Sequence, residues 1–397
     1  MYNGYETQND LEMRKEHLKK ADIRVLMLGA SRVGKTSLLS LLSSRKVIES
    51  ALKGTDLDII TEMNLTGTYN TMRDYFDMTK SDANGLPRTL YSELVLNDGQ
   101  TDAIYDYEML LTTKGKKGTY KIGFTDIPGE YLRKLHDGSL NPTSKSDLEE
   151  LVSVADVIII TIDSVLMMEN DGLNAKLGNN IDEVYSLISN CCPPQEGNVH
   201  KLFLFTPVKC EKYYLQHIEF MKNPECYETD PMQKLIGQIK TYYSHTLEYL
   251  RKDAGNNYFQ AAILPVITLG DIKFKWFTEE SYTKAVLDAS DMLFEYVSRE
   301  NPETHEFYDP TFRPEYCEQL LVYILLFQLA KVKEYNANKS FFAKFKDFFN
   351  NGIKRLASDS SLVTQASKLS KNLCTRTEYV FEAIQNPIGI AGVKVRK

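Results

Sequence analysis

One segment near the amino terminus reads Ile23-Arg24-Val25-Leu26-Met27-Leu28-Gly29-Ala30-Ser31-Arg32-Val33-Gly34-Lys35-Thr36. Its first six residues are apolar apart from Arg24, and a run of this length and composition is typical of a strand buried in a parallel sheet. The residues that follow, Ser37-Leu38-Leu39-Ser40-Leu41-Leu42, have the composition of a helix. A strand, a tight turn and a helix in this order begin a βαβ unit, so the segment predicts an α/β fold.

The turn from Gly29 to Thr36 matches the pattern Gly-x-x-x-x-Gly-Lys-Thr of a phosphate-binding P-loop. The two glycines let the backbone curl until successive N–H groups point at a phosphate, and the helix that follows adds the field of its amino terminus. The lysine of the pattern bridges the β- and γ-phosphates, and the threonine offers its hydroxyl to Mg²⁺. We therefore predict that nucleotide phosphates bind to Gly29, Ala30, Ser31, Arg32, Val33, Gly34, Lys35, Thr36 and Ser37.

Four further apolar runs, at residues 120–125, 157–162, 201–206 and 261–268, alternate with segments of helical periodicity. This alternation predicts a P-loop NTPase fold with a mostly parallel central sheet covered on both faces. Residues 104–112 and 119–125 flank a turn rich in glycine and lysine and predict a β-hairpin. Between Thr36 and Asp126 lie 89 residues, more than one helix and one strand need, so we expect an insertion over about 50–100. Its first part, residues 55–82, has a composition more typical of helix than of strand.

A second phosphate-side element, Asp126-Ile127-Pro128-Gly129-Glu130, follows the apolar run at 120–125. An aspartate at the carboxyl end of a strand beside the P-loop strand is placed to hold Mg²⁺, and a glycine three residues later can offer its N–H to the γ-phosphate. Paired with the upstream pattern, the two residues predict the second half of a hydrolytic site.

These two motifs resemble those of the Ras-like and translation-factor class of GTPases. The resemblance implies GTP and Mg²⁺ as ligands and places Glu130 where the family has the residue that orients the attacking water. A surface glutamate at the start of a helix is the alternative interpretation of Glu130. The family reads guanine with a lysine and a carboxylate after a later strand, which here correspond to Lys209 and Glu211, while Val208 replaces the family's asparagine. Thr268 to Gly270 corresponds in order to a loop that closes over the base.

The family also has a threonine ligand to Mg²⁺ in its first switch, and the sequence offers two candidates. Thr101 lies 25 residues ahead of Asp126, a spacing similar to that of the family. Thr89 is the rival if the hairpin strand begins earlier, and Arg88 would then lie beside the γ-phosphate. The chain further resembles the bacterial double-GTPase group found in conflict and defence gene neighbourhoods, over about residues 23–270, although only one P-loop pattern is present.

The remaining chain predicts four regions: an amino-terminal helix (1–20), a GTPase domain (21–300), a helical extension (301–357) and a basic, less ordered tail (358–397). Residues 315–334 predict a long packed helix and residues 341–356 an amphipathic one. Residues 338–397 hold eleven basic and four acidic side chains, a net charge of +7, so the rest of the chain carries −14 against a total of −7. We expect this segment to dock on the acidic body rather than adsorb to an anionic surface.

The composition narrows the possible functions. The acidic body predicts no direct nucleic-acid binding, and the six scattered cysteines match neither a disulfide framework nor a zinc site. No signal peptide or membrane-spanning run is evident, so a cytoplasmic protein is expected. The leading hypothesis is a switch GTPase that hydrolyses GTP slowly and acts on an unidentified protein partner. A nucleotide-gated scaffold with little hydrolysis, or an ATPase, is the alternative.

Overall fold

A computed structural model of the chain describes residues 9–61, 70, 73, 89–91, 106–114, 119–170, 172–193, 201–252, 259–278, 287, 292–300, 304, 307–308, 310–337, 351–374 and 382–383. Its strands, in chain order, are β1 (Ile23–Leu28), β2 (Leu57–Thr61), β3 (Thr89–Tyr91), β4 (Asp106–Thr113), β5 (Thr119–Asp126), β6 (Val157–Asp163), β7 (Lys201–Val208), β8 (Phe259–Ile263), β9 (Ile272–Phe277), β10 (Met292–Tyr296), β11 (Arg299–Glu300), β12 (Phe307–Tyr308) and β13 (Glu382–Ala383).

The helices of the described residues, again in chain order, are α1 (Asn9–Lys20), α2 (Lys35–Leu42), α3 (Arg45–Ala51), α4 (Gly129–His136), α5 (Pro142–Val154), α6 (Ser164–Glu169), α7 (Gly172–Gly178), α8 (Ile181–Cys191), α9 (Glu211–Lys222), α10 (Pro231–Tyr242), α11 (Ser244–Lys252), α12 (Cys317–Ala337), α13 (Asn351–Ser358) and α14 (Ser360–Cys374). A short 3₁₀ turn, Pro224–Cys226, joins α9 to α10. None of these helices is long and apolar enough to cross a membrane.

Eight of the strands in the described residues form one sheet in the order β13-β8-β7-β6-β1-β5-β4-β2. Strands β8, β7, β6, β1 and β5 run parallel, whereas β4, β2 and β13 join antiparallel at the edges. The predicted α/β fold with a mostly parallel central sheet is therefore confirmed. Met27 pairs in register with Asp126, so the turn after β1 and the end of β5 lie at the same edge of the sheet. In open parallel sheets, ligands bind at this carboxyl edge.

Alternate side chains of the central strands enter two separate cores, because successive residues of a strand point to opposite faces. Ile23, Val25 and Met27 pack in a cluster that includes side chains of α2, α12 and α14. Leu26 and Leu28 pack in a second cluster with side chains of α1, α5, α8 and α10. The sheet is thus covered on both faces, which accounts for the continuous apolar run of β1.

The predicted hairpin is confirmed, since β4 and β5 pair antiparallel. Asp106 lies opposite Thr125 at one end of the pair, and Thr112 lies opposite Thr119 at the other. Its turn, residues 115–118, lies outside the described residues. The expectation of helix from residue 55 onward is wrong at its start, because β2 occupies residues 57–61. Leu57 and Ile59 are buried in β2 while Ile60 is exposed, and this alternation of period two is the signal of a half-buried strand.

A second, smaller sheet pairs three antiparallel strands in the order β3-β10-β9. Strand β3 comes from the region predicted as the insertion, whereas β9 and β10 follow β8 in the chain. Sequence patterns did not indicate this sheet. It matters for the site because one of its aromatic side chains reaches the candidate ligand cavity described below.

The carboxyl-terminal helices pack on the body of the protein. The predicted long helix is observed as α12, in which every residue from Leu320 to Phe327 is buried. Helix α14 lies in the first part of the segment expected to be a basic, less ordered tail, and it buries Leu362, Leu369 and Leu373. These leucines recur at helical spacing, but the serine, threonine and lysine residues around them obscure that periodicity in the sequence.

Basic side chains of this region pair with acidic side chains of the body. Arg355 of α13 lies 2.9 Å from the carboxylate of Asp22, and Lys368 of α14 lies 2.8 Å from Asp56. Asn372 also donates hydrogen bonds to the carbonyls of Ala51 and Lys53. The described part of the segment therefore docks internally, and most of residues 341–356 lie outside the described residues.

Candidate functional site

The glycine-rich loop (Gly29–Thr36) connects β1 to α2 at the carboxyl edge of the sheet. Gly29 has φ of 154°, and a Cβ atom built there would lie 2.7 Å from the carbonyl oxygen of Thr161 on β6. Only glycine fits this position, because its backbone passes directly against the neighbouring strand. Arg32 is in the left-handed region with φ of 60°, an unusual conformation for a side-chain-bearing residue that costs free energy.

Lys35 begins α2, and its side chain folds back over the glycine-rich loop. The Nζ atom donates to the carbonyl of Gly29 at 3.0 Å and to that of Ala30 at 2.8 Å. Burial lowers the pKa of Lys35, and the neighbouring Asp126 carboxylate opposes that shift. The loop therefore surrounds the Lys35 Nζ atom and holds it with two backbone carbonyl oxygens.

Thr36 in the first turn of α2 contacts Asp126 at the end of β5, and both were predicted to hold Mg²⁺. The Thr36 hydroxyl donates to Oδ2 of Asp126 at 3.2 Å, and the other carboxylate oxygen, Oδ1, is buried without a hydrogen-bond partner. Burial raises the pKa of Asp126, while the charges of Lys35 and Arg14 oppose the shift. A hydroxyl and a carboxylate with one free oxygen are hard oxygen donors of the kind Mg²⁺ prefers, so these residues fit that ion.

Gly129 lies against the glycine-rich loop. A Cβ atom built on Gly129 would come within 2.0 Å of the backbone nitrogen of Ser31, so a side chain at this position would collide with the loop. Gly129 thus lies against the backbone of Ala30 and Ser31 in the predicted phosphate site. Two predicted elements that are distant in sequence are therefore in contact.

Glu130 takes a different position from that expected of a water-orienting residue. It lies in the first turn of α4, where its side chain is about half exposed. Its carboxylate is 3.5 Å from Arg133 and 3.5 Å from Lys134 on the same helix. This geometry favours the alternative interpretation of a surface glutamate near a helix amino terminus.

A cavity extends from the glycine-rich loop toward the ends of β7 and β8. One wall comes from the loop and the start of α2, and the other from the residues predicted to read the base. The small sheet closes it with two apolar side chains. The lining residues are Val33, Gly34, Ser37, Val208, Lys209, Glu211, Thr268, Leu269, Ile272 and Phe294.

Lys209 sits at the end of β7 in a strained backbone conformation, with φ of 60°. Its Nζ atom donates to Oδ2 of Asp163 and lies 3.8 Å from the sulfur of Met292. The neighbouring Ser164 hydroxyl donates to the carbonyls of Val208 and Lys209 at 2.6 and 2.9 Å. Lys209 is therefore held from two sides at the wall of the cavity.

Glu211 is buried at the start of α9, and one carboxylate oxygen binds the loop after β8. Its Oε1 atom accepts hydrogen bonds from the N–H of Thr268 at 2.8 Å, the Thr268 hydroxyl at 3.0 Å and the N–H of Leu269 at 2.8 Å. Burial raises the pKa of Glu211, and these N–H donors oppose the shift. The candidate base-closing loop, residues 268–270, is thus tied to the candidate base-reading carboxylate.

The remaining candidates are placed less directly. Thr89 begins β3 and pairs with Glu295 of β10 in the small sheet, whereas Thr101 and Arg88 lie outside the described residues.

Sequence reasoning missed four side chains of this region: Arg14, Asp163, Ile272 and Phe294. Asp163 could have been found, because it follows a buried strand in the same way as Asp126 does. The other three carry no local signal. No protein-family model matches the chain, and no curated protein matches it either. The assignment of the site therefore rests on these residues and their geometry.

Proposed function

We propose that this chain binds GTP together with Mg²⁺ at the carboxyl edge of its central sheet, hydrolyses it slowly and acts as a conformational switch. The cavity carries the proposal. Val33, Gly34 and Ser37 of the predicted phosphate site line one continuous space with Lys209 and Glu211 of the predicted base site, although the two sets are distant in sequence. A nucleotide spans these two sites, since its phosphates and its base lie at opposite ends of the molecule.

At the phosphate end, the glycine-rich loop offers backbone N–H groups and the start of α2. Lys35 already points over the loop and would exchange its two carbonyl partners for β- and γ-phosphate oxygens. Thr36 and Asp126 would hold Mg²⁺, which when bound supplies positive charge against the phosphates. Gly129, in contact with the loop, would offer its N–H to the γ-phosphate.

At the base end, the cavity presents one carboxylate among apolar walls. Glu211 would accept the two N–H groups of guanine, which adenine does not have in the same place, while Lys209 would lie along the base. Ile272 and Phe294 give apolar contact of the kind that ligand pockets use for aromatic rings, and Phe294 contributes a flat ring. Val208 is buried, so it supplies packing where the resembling family has a hydrogen-bonding asparagine.

Slow hydrolysis follows from the position of Glu130. Its side chain pairs with Arg133 and Lys134 of its own helix, and its negative charge would oppose the γ-phosphate. We expect a turnover of about 10⁻³ to 10⁻² per second without an activating partner. The same observation favours a second candidate, a nucleotide-gated scaffold that scarcely hydrolyses GTP. An ATPase remains the alternative if the base site does not select guanine.

The decisive experiment is the affinity of the purified protein for GTP, GDP and ATP with and without Mg²⁺. We expect GTP to bind more tightly than ATP, and Lys35→Ala to abolish triphosphate binding while circular dichroism shows a folded protein. Lys46→Ala, a change at an exposed lysine of the adjacent helix α3, is the matched control and should bind as the wild type does. Equal affinity for GTP and ATP would refute the guanine assignment, and normal binding by Lys35→Ala would refute the phosphate site.

A further inference from the structure

The amino-terminal helix brings a buried arginine to the phosphate site. Arg14 of α1 is 2 % exposed, and its Nη1 atom donates to the backbone carbonyl of Asp126. The helix is firmly placed, since Leu11 and Leu18 are buried in the core and Lys15 pairs with Asp147 and Glu150 of α5, at 3.2 and 3.0 Å. Arg14 is therefore held at the end of β5 by its own helix.

The contact fixes a specific point of the backbone. On one side of it, the N–H of Ile127 donates to the carbonyl of Met27 on β1 at 3.2 Å. On the other side, the Arg14 guanidinium donates a hydrogen bond to the carbonyl of Asp126. Together these bonds hold the peptide between Asp126 and Ile127, from which the chain turns toward Gly129 and the glycine-rich loop.

Arg14 also contributes charge. It lies close enough to Lys35 and to Asp126 to act electrostatically on both. Arg14, Lys35 and Asp126 together are two cations and one carboxylate, and the excess positive charge of these three groups complements a polyphosphate. Buried charges act more strongly on each other than exposed ones, because little water screens them.

We infer that Arg14 is a positioning residue of the nucleotide site: it fixes the backbone of Asp126 and thereby the carboxylate and the turn that face the γ-phosphate and Mg²⁺. The inference rests on the proposed function and adds a residue from outside the predicted motifs. The groups that Arg14 positions would contact the γ-phosphate and the metal rather than the base. Its loss should therefore weaken Mg²⁺-dependent GTP binding far more than GDP binding without Mg²⁺.

The test compares Arg14→Gln, Arg14→Lys and Lys15→Gln in the full-length chain, with fluorescent GTP and GDP analogues titrated with and without Mg²⁺. Lys15→Gln is the matched control, because it removes a cation of the same helix that pairs with α5 and not with Asp126. Mg²⁺ raises the affinity of the wild type for GTP by some factor, and we expect that factor to be at least tenfold smaller in Arg14→Gln. The affinity of Arg14→Gln for GDP without Mg²⁺ should stay within about threefold of the wild type. Arg14→Lys should lie between, and Lys15→Gln should match the wild type.

Two other results would overturn the inference. Equal losses of GTP and GDP affinity in Arg14→Gln would show that the residue only supports the fold, and an unchanged Mg²⁺ dependence would show that it does not position Asp126. If Arg14→Gln does not fold, Arg14→Lys gives the same comparison with the charge retained. Failure of the wild type to bind either nucleotide would refute the proposed function as well, so the two failures are distinguishable.

Discussion

Replacement of Glu211 by glutamine separates its proposed recognition of guanine from its hydrogen bonds to Thr268 and Leu269. In the protein, Oε1 accepts three hydrogen bonds from Thr268 and Leu269. Glutamine keeps an oxygen for those bonds but replaces the second carboxylate oxygen with a donor and removes the charge. A hydrogen bond to a charged group contributes about 1.5 to 3 kcal/mol. We therefore expect Glu211→Gln to lower GTP affinity by about 10- to 150-fold, with little effect on ATP.

Alanine at the same position should behave differently. Glu211→Ala removes the acceptor and leaves two buried N–H groups without it, each at a cost of about 1 to 3 kcal/mol. This variant should lose several kcal/mol in the free energy of unfolding, whereas Glu211→Gln should stay within about 1 kcal/mol of the wild type.

The assays are competition of GTP against ATP for the site, and urea denaturation of the same variants. Glu228→Gln, at an exposed glutamate before α10, is the control for loss of a negative charge. An unchanged preference for GTP in Glu211→Gln would refute the assignment of base recognition. Glu211 would then serve only to tie the loop at residues 268–270 to α9.

Two further predictions concern stability. Leu369→Ala on α14 should lower the free energy of unfolding by about 2 to 5 kcal/mol in denaturant titration, because the side chain is fully buried against the body, whereas Ser367→Ala on the exposed face should change it little; equal stabilities would mean that α14 is not docked. Burial lowers the pKa of Lys201 to about 8, although its Nζ atom donates to carbonyls at the end of α5. Between pH 8 and about 10.4, Lys201 keeps its proton in the unfolded chain but has released it in the folded one. The free energy of unfolding of the wild type should therefore rise with pH relative to that of Lys201→Met. A difference between the two that does not change with pH would show that the carbonyls keep the ammonium charged.

The sequence predicted those parts of the site that are formed by neighbouring residues. The glycine-rich loop joins a strand to a helix, and its pattern is local, so its position at the sheet edge followed from the βαβ order. Asp126 was found in the same way, because a polar residue directly after a buried strand lies at that edge. The parallel pairing of β1 with β5 then brings Asp126 to Thr36.

Other parts depend on contacts that no local pattern encodes. Arg14 lies on a charged helix whose residues resemble any solvated helix in sequence, and only the packing of α1 shows that it is buried. Phe294 comes from a small sheet whose strands are far apart in the chain. No local pattern shows which cavity Phe294 borders, because that depends on how these strands pair.

The charges predicted to bind the nucleotide share one property: each has a partner inside the protein. Lys35 binds two carbonyls of its own loop, Lys209 binds Asp163, and Glu211 binds Thr268 and Leu269. A phosphate that reaches Lys35 would compete with two uncharged carbonyls, and its negative charge attracts the ammonium more strongly than a carbonyl dipole does. If Lys35 exchanged the carbonyls of Gly29 and Ala30 for phosphate oxygens, the glycine-rich loop would lose two hydrogen bonds that hold it. Gly129 is in contact with that loop. Binding at the phosphate end would thereby be coupled to the segment from Asp126 to Gly129, which is the coupling that the proposed nucleotide-dependent switch requires.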